Sequence, residues 1–290
     1  MAEQIYKSGY LTEDFRLFYN ADRRKRSFPA HYHDFHKLLL FLSGNVSYIV
    51  EGRQYDLQPG DVILVPAGSI HNPVIHDASL YERIIFYISP AFFARYRSDK
   101  ADLFPAFRMS ADSRLGLLRL TGQNAAFLKQ LSSGLIRSAS DSGYARDLLQ
   151  ETYLVQVLIL LSRCAISPQP DFAPAAASNP AILKVMDYIG EHLTEEDLSI
   201  DRIASAALQS RSYLMHLFKE QTGYTIGEYI TEKRLFLARK SLNMGMSVTD
   251  ACYGSGFRSY SAFYYAYRKK YGGPPKQAGP EEAFKVTPGE

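Results

Sequence analysis

The chain has 290 residues, 46% of them hydrophobic and 22% charged, with a formal net charge of +3. These values exclude a disordered, collagenous or disulfide-stapled chain, and the length accommodates two domains that each bury a core. Cys164 and Cys252 lie far apart in sequence, so no disulfide framework is readable and a reducing compartment is expected. The opening stretch MAEQIYKSGYLTEDF carries acids and no apolar run of the secretory kind. The longest greasy run, Leu154 to Leu161, falls short of the roughly 20 residues of a membrane span. A soluble cytoplasmic protein with no membrane partner is expected.

The basic run Arg23–Arg26 reads as a solvated loop ahead of β structure in residues 28–90. There KLLLFLSG, VSYIVEG, DVILVPAG and ERIIFYIS are strand-like runs parted by Gly, Pro or Asn. Their short spacing predicts a small all-β barrel or sandwich, assigned to residues 1–110. Within it, HYHDFHKLLLFLSG (31–44) and PGDVILVPAGSIHN (59–72) resemble the two cupin motifs. The second supplies Gly60, Pro66, Gly68 and His71, and the first supplies His31 and His33. In metal-binding cupins three such histidines and a glutamate hold the ion. Here the glutamate's place is taken by Lys37, and an ammonium beside three imidazoles opposes a divalent cation. No metal and no cofactor is therefore expected, and the histidines either hydrogen-bond within the barrel or touch a ligand. Alternation along the strands puts His31, His33, Lys37, Tyr48, His71 and Arg83 on the lining, as the candidate effector site. Lys37 and Arg83 suit an anionic or hydroxyl-rich ligand, and each equally suits an ion pair.

Residues 111–165 turn helical. Tyr144 to Cys164 carries a broad apolar stripe of Leu148, Leu149, Tyr153, Leu154, Gln156, Val157, Leu158 and Leu161. Such a stripe must pack, either closing the barrel domain or pairing with a second copy, so this segment is the expected dimerisation region. Residues 166–180, ISPQPDFAPAAASNP, hold four prolines and no periodicity, and read as an extended interdomain linker.

Everything after the linker reads helical, and it repeats. SIDRIASAALQSRSYLMHLFKEQTG (199–223) aligns with SVTDACYGSGFRSYSAFYYAYRKKYG (247–272). Ser199, Ile200 and Ala204 match Ser247, Val248 and Cys252; Ser210, Leu214, Phe218 and Gly223 match Ser259, Phe263, Tyr267 and Gly272. The second copy carries one extra residue in the turn between its helices, where an insertion costs least. This is a duplicated helix-turn-helix unit. With Leu214, Leu217 and Phe218 inward, the first unit presents Arg211, Ser212, Met215, His216 and Lys219. With Phe263, Ala266 and Tyr267 inward, the second presents Tyr260, Ser261, Tyr264, Tyr265 and Arg268, as recognition helices present side chains to a major groove. Ser259 and Lys269 complete the candidate DNA-binding set. Between Lys233 and Lys276 stand nine basic residues and one acid, which suggests a polyanion partner. A helix over Thr225 to Leu242, roughly 27 Å long, spaces the units for grooves about 34 Å apart.

The stretch from about 181 to 276 resembles the AraC/XylS DNA-binding domain, through IASAALQSRSYLMHLFKEQTG, GEYITEKRLFLARKSL and the pattern from Gly256 to Pro275. That domain is assigned to 181–279, followed by a tail over 280–290. The resemblance implies that Arg211, Ser212, Met215 and His216 touch bases in the first helix, and Ser261, Ala262 and Tyr265 in the second. The second helix offers no outward Arg or Gln, the strongest base readers, so phosphate and thymine-methyl contacts are expected there. Where the family carries an aromatic–Arg pair, this chain has Ala278–Gly279, so the last turn is expected to fray. The resemblance further implies a small effector in the barrel, a sugar or other carbon-source metabolite, together with double-stranded DNA, a homodimer and RNA polymerase as partners. The expected fold is an N-terminal all-β cupin-like barrel with flanking helices plus a C-terminal all-α tandem helix-turn-helix domain. A transcription regulator that is not an enzyme is the leading reading. Two others stay open: a metal-dependent cupin enzyme fused to a DNA-binding module, and a constitutive architectural DNA binder with a vestigial barrel.

Overall fold

The computed structural model describes residues 11, 13–23, 28–99 and 101–276. Most of the basic run Arg23–Arg26, the Ala278–Gly279 pair and the 280–290 tail lie outside the described residues. The chain divides into two compact units, one of them Glu13–Ser178 and the other built from Asn179 onward.

The first unit runs β1 (Phe15–Asp22), β2 (His36–Ser43), β3 (Val46–Val50), β4 (Arg53–Asp56), β5 (Val62–Val65), β6 (His71–Ile75) and β7 (Tyr81–Ile88). It continues through α1 (Pro90–Arg95), α2 (Pro105–Ser113), β8 (Leu117–Leu118), α3 (Gly122–Ala139), α4 (Arg146–Ala165) and β9 (Ala177–Ser178). Two antiparallel sheets result, ordered β1-β7-β2-β5-β8 and β6-β3-β4-β9. Every residue from His36 to Phe41 is buried, because the first sheet is covered on both faces. Leu38, Leu40, Val62, Leu64, Ile84 and Phe86 pack under α2, α3 and α4. Leu39, Phe41, Ile63, Val65 and Ile85 meet Val46, Tyr48, Val50 and Tyr55 of the second sheet. A single step of strand alternation thus sorts two cores. Lys37 shares the parity of Leu39 and enters the space between the sheets. His36 takes the opposite side, packed on Phe93, Phe104 and Phe107, its Nδ1 accepting from the Ala67 amide at 3.1 Å.

Three features add to the sequence reading. β1 precedes the predicted β region and pairs along its length with β7, from Phe15↔Ile88 to Asp22↔Tyr81. The helices of 111–165 belong to the same unit as the barrel. Leu154, Val157, Leu158 and Leu161 are core, while Leu148 and Leu149 are exposed. By length and composition alone α4 is apolar enough to cross a membrane, a property that a core helix of this kind shares. The proline-rich segment is not a free tether throughout. The Ala173 amide donates to Leu117 O at 2.9 Å, the Ala176 amide donates to Gln54 O at 2.8 Å, and β9 pairs with β4. Proline hides such a strand from sequence patterning, yet an edge strand tolerates it where no ladder donor is needed.

The second unit contains α5 (Pro180–Glu191), α6 (Ile200–Ala207), α7 (Arg211–Thr222), α8 (Ile226–Asn243), α9 (Val248–Gly254) and α10 (Tyr260–Tyr271). The duplication is legible at the helix ends. Ser199 and Ser247 cap α6 and α9, Ser210 and Ser259 cap α7 and α10, and Gly223 and Gly272 close the latter pair, both at φ 76°. α8 opens on a capping box of Thr225 and Glu228. The turns between paired helices differ in the left-handed residue they use, Leu208 at φ 56° and Gly256 at φ 90°. A Cβ on Gly256 would stand 2.5 Å from the Leu193 carbonyl oxygen, so that turn requires glycine.

Candidate effector site and nucleic-acid interface

Five of the six predicted lining residues meet between the sheets. A backbone bridge joins His31 to His71, with N–O distances of 2.9 and 3.1 Å, and this brings the segment before β2 alongside the start of β6. The nearest ring nitrogens of His31, His33 and His71 lie within 4.8 Å of one another. His31 Nδ1–H donates to Pro29 O at 2.9 Å and His71 Nδ1–H donates to Ser69 O at 3.0 Å. A carbonyl only accepts, so these bonds fix the tautomers and leave each Nε2 a lone pair. Burial, then the charge of Lys37, lowers both pKa values, that of His71 well below the ordinary range, so the rings are neutral.

Lys37 is the centre of this group. Its Nζ donates toward His71 Nε2 at 3.5 Å and lies 5.6 Å from the Tyr48 ring centroid. Burial, with help from the charge of Arg83, brings its pKa down to about 7. The Tyr48 ring stacks on His71 at 6.1 Å, and its buried hydroxyl has no hydrogen-bond partner among the described residues. Arg83, the sixth predicted residue, is committed elsewhere: it pairs with Asp22, donates to Tyr81 O at 2.9 Å and lies 4.1 Å over the Tyr81 ring. In register it stands opposite Phe41, four residues along β7 from Tyr87, which faces Lys37. Sequence reasoning missed Tyr87 and Phe35, whose rings lie 5.6 and 4.4 Å from His33. Tyr87 was legible, because it has the parity of Arg83 on the same strand. Asp22 was not, because its approach to Arg83 depends on the β1–β7 register. Three imidazoles by themselves can ligate an ion. Here the lysine donates into the lone pair of His71 that an ion needs and adds positive charge, so these residues do not fit a divalent metal.

In the second unit, α7 buries Leu214, Phe218 and Thr222 and exposes Arg211, Ser212, Met215, His216 and Lys219. α10 buries Phe263 and Tyr267 and exposes Tyr260, Ser261, Ala262, Tyr265, Arg268 and Lys269, with Tyr264 half-buried. Ser259 is spent as a cap, its hydroxyl accepting from the Ala262 amide at 3.4 Å. Arg211 pairs with Asp201 of α6 at 3.0 Å, an exposed contact of little energetic weight. The basic stretch is less uniform than its composition suggests. Arg234 is buried, donating to Leu193 O at 2.9 Å and Glu195 O at 2.7 Å, and Lys270 pairs with Glu232 at 2.7 Å. Arg258 donates to the carbonyl of Glu196. These three tie helices together, which leaves Arg211, Lys219, Arg268 and Lys269 as the exposed charge of the two outward faces.

Residues 17–158 match the family model of the AraC-like ligand binding domain, and residues 203–279 match that of a helix-turn-helix domain. The two segments take in about three quarters of the chain. Over 260 residues the chain is 26% identical to the HTH-type transcriptional activator RhaS of Citrobacter koseri, covering 86% of this chain and 87% of that protein. Over 281 residues it is 24% identical to the HTH-type transcriptional activator RhaR of Escherichia coli K12, covering 96% and 97%. Among solved structures, ToxT from Vibrio cholerae O395 aligns over 94% of this chain and 98% of its own, at 16% identity and a TM-score of 0.37.

Proposed function

The chain belongs to the AraC family of DNA-binding transcription regulators, and from that premise we propose that a small molecule held in its barrel controls how its tandem helix-turn-helix reader occupies promoters. The observation that carries this reading is the barrel interior. A buried ammonium held against His71, the Nε2 lone pair of His31 and a buried tyrosine hydroxyl converge where a packed core needs none of them. His31, His33, Lys37, Tyr48 and His71 hold the effector; Arg83 lines the far part of the interior and is held by Asp22. The effector belongs to the sugars and other carbon-source metabolites. Arg211 and His216 give most of the polar base readout, with Ser212, Met215 and Lys219 beside them. Tyr260, Ser261, Tyr264, Tyr265, Arg268 and Lys269 engage phosphates and thymine methyls. The protein works in the cytoplasm without catalysis, as a homodimer, with RNA polymerase as its further partner. The enzyme reading draws no support from the site, since Lys37 occupies the position from which a fourth metal ligand would act.

Binding of the purified protein to its own upstream intergenic DNA and to random DNA, across a salt series, tests the proposal. A preference of about a thousandfold at physiological salt is expected. Equal binding throughout a genomic fragment library, with and without candidate effectors, overturns it.

A further inference from the structure

We infer that the effector is a small hydroxy acid, a carboxylate carrying a nearby hydroxyl as sugar acids do, with its carboxylate on Lys37 and its hydroxyl donating to Nε2 of His31. The inference rests on the reading that the barrel interior is the effector site, and it specifies the chemistry of that site. Lys37 is buried, and among the described residues no carboxylate meets it; its contacts are His71 Nε2 at 3.5 Å and the Tyr48 ring at 5.6 Å. The other interior cation, Arg83, is already neutralised by Asp22. An anion therefore gains most by binding at Lys37, where it supplies the missing countercharge in a poorly solvated place.

The rest of the donor set favours a hydroxyl beside the acid group. His31 and His71 spend their Nδ1–H groups on the carbonyls of Pro29 and Ser69, and His71 Nε2 accepts from Lys37, so His31 Nε2 is the remaining acceptor, which a carboxylate oxygen cannot satisfy and a hydroxyl can. The Tyr48 hydroxyl, buried beside His71 and without a hydrogen-bond partner among the described residues, donates to or accepts from the same ligand. A neutral sugar satisfies the His31 imidazole and leaves the ammonium uncompensated. An alkanoate does the reverse. A molecule with both groups meets the ammonium, the His31 acceptor and the Tyr48 hydroxyl together, and discrimination of this kind is large because the wrong ligand leaves buried polar groups unpaired.

Calorimetric titration of the full chain with D-galacturonate, D-gluconate and D-glycerate, against D-glucose and hexanoate, tests the inference. At least one hydroxy acid is expected to bind about tenfold or more tighter than both controls, a difference of about 1.4 kcal/mol. Lys37→Met, close in volume and free of the buried charge, is expected to melt no lower than the wild type while losing about tenfold or more in that affinity. Tyr48→Phe should weaken the same ligand without creating a preference for hexanoate. Tighter binding of glucose that survives Lys37→Met overturns the hydroxy-acid assignment while leaving the barrel as the effector site. Failure of every hydroxy acid to bind below about 10 mM also overturns it. A ligand whose affinity is untouched by Lys37→Met, Tyr48→Phe and His71→Phe alike binds outside the barrel, and removes both this inference and the reading it rests on.

Discussion

Lys37 is protonated in the unfolded chain up to its ordinary pKa near 10.5, whereas in the folded chain burial brings the value down to about 7. Between those limits the unfolded state holds a proton that the folded state has released, so stability rises with pH through that window. Below about pH 7 both states hold the proton and the burial cost is present in full. Lys37→Met is therefore expected to raise stability near neutrality and to flatten the rise in stability from pH 7 toward 10. Urea unfolding of both forms at pH 7 and 9.5 checks this, and an unchanged pH slope in the variant refutes it. At the DNA face, Arg211→Ala should weaken specific binding by about 1–3 kcal/mol and relax selectivity at one position. Equal losses on specific and random DNA would contradict that role. Lys269→Ala should weaken all sequences alike and shallow the salt slope by about one unit. Asp201 holds Arg211 only through an exposed pair, so Asp201→Ala should leave stability nearly unchanged.

At the scale of elements, the duplicated reader is organised by its helix ends. Serine opens four of its helices and glycine closes both recognition helices. The second turn is the tighter of the two. Gly256 faces the Leu193 carbonyl, and the Arg234 guanidinium bonds to Leu193 and Glu195 from α8, so the α5–α6 connection, α8 and the second turn converge at one point. Gly256→Ala forces a Cβ into backbone at a positive φ and is expected to lower stability by about 2 kcal/mol or more, read as a fall in the denaturation midpoint. Glu228→Ala removes half of the capping box on α8 and should cost about 1 kcal/mol. A similar or larger loss for Glu228→Ala than for Gly256→Ala would mean that the turn is more adaptable than its geometry implies.

At the scale of the molecule, the parity of β2 connects the two functions of the first unit. Even-numbered Leu38 and Leu40 anchor the helical layer, while odd-numbered Lys37, Leu39 and Phe41 face the second sheet and the proposed effector site, so a one-residue slip would exchange the two faces. Along α4 the inward residues are used, whereas Leu148, Leu149 and Ile159 remain exposed, which suits the proposed homodimer. Leu149→Glu with Ile159→Glu is expected to shift the sedimentation coefficient from dimer to monomer while leaving the effector titration unchanged. A monomeric wild type would remove the dimer from the proposal. The sequence by itself determined the two-part architecture, the duplicated reader with its outward faces, and the histidine–lysine group, because local patterns specify them: alternation, helical period, cap residues and motif spacing. Only the tertiary structure decided that β1 closes against β7, that residues 171–178 lie on the barrel, that Arg83 belongs to Asp22, and that Arg234 is a buried tie to the carbonyls of Leu193 and Glu195. Each of those depends on pairing between segments distant in sequence, and the register of such pairing is set by side-chain packing across the whole unit, which no local pattern encodes.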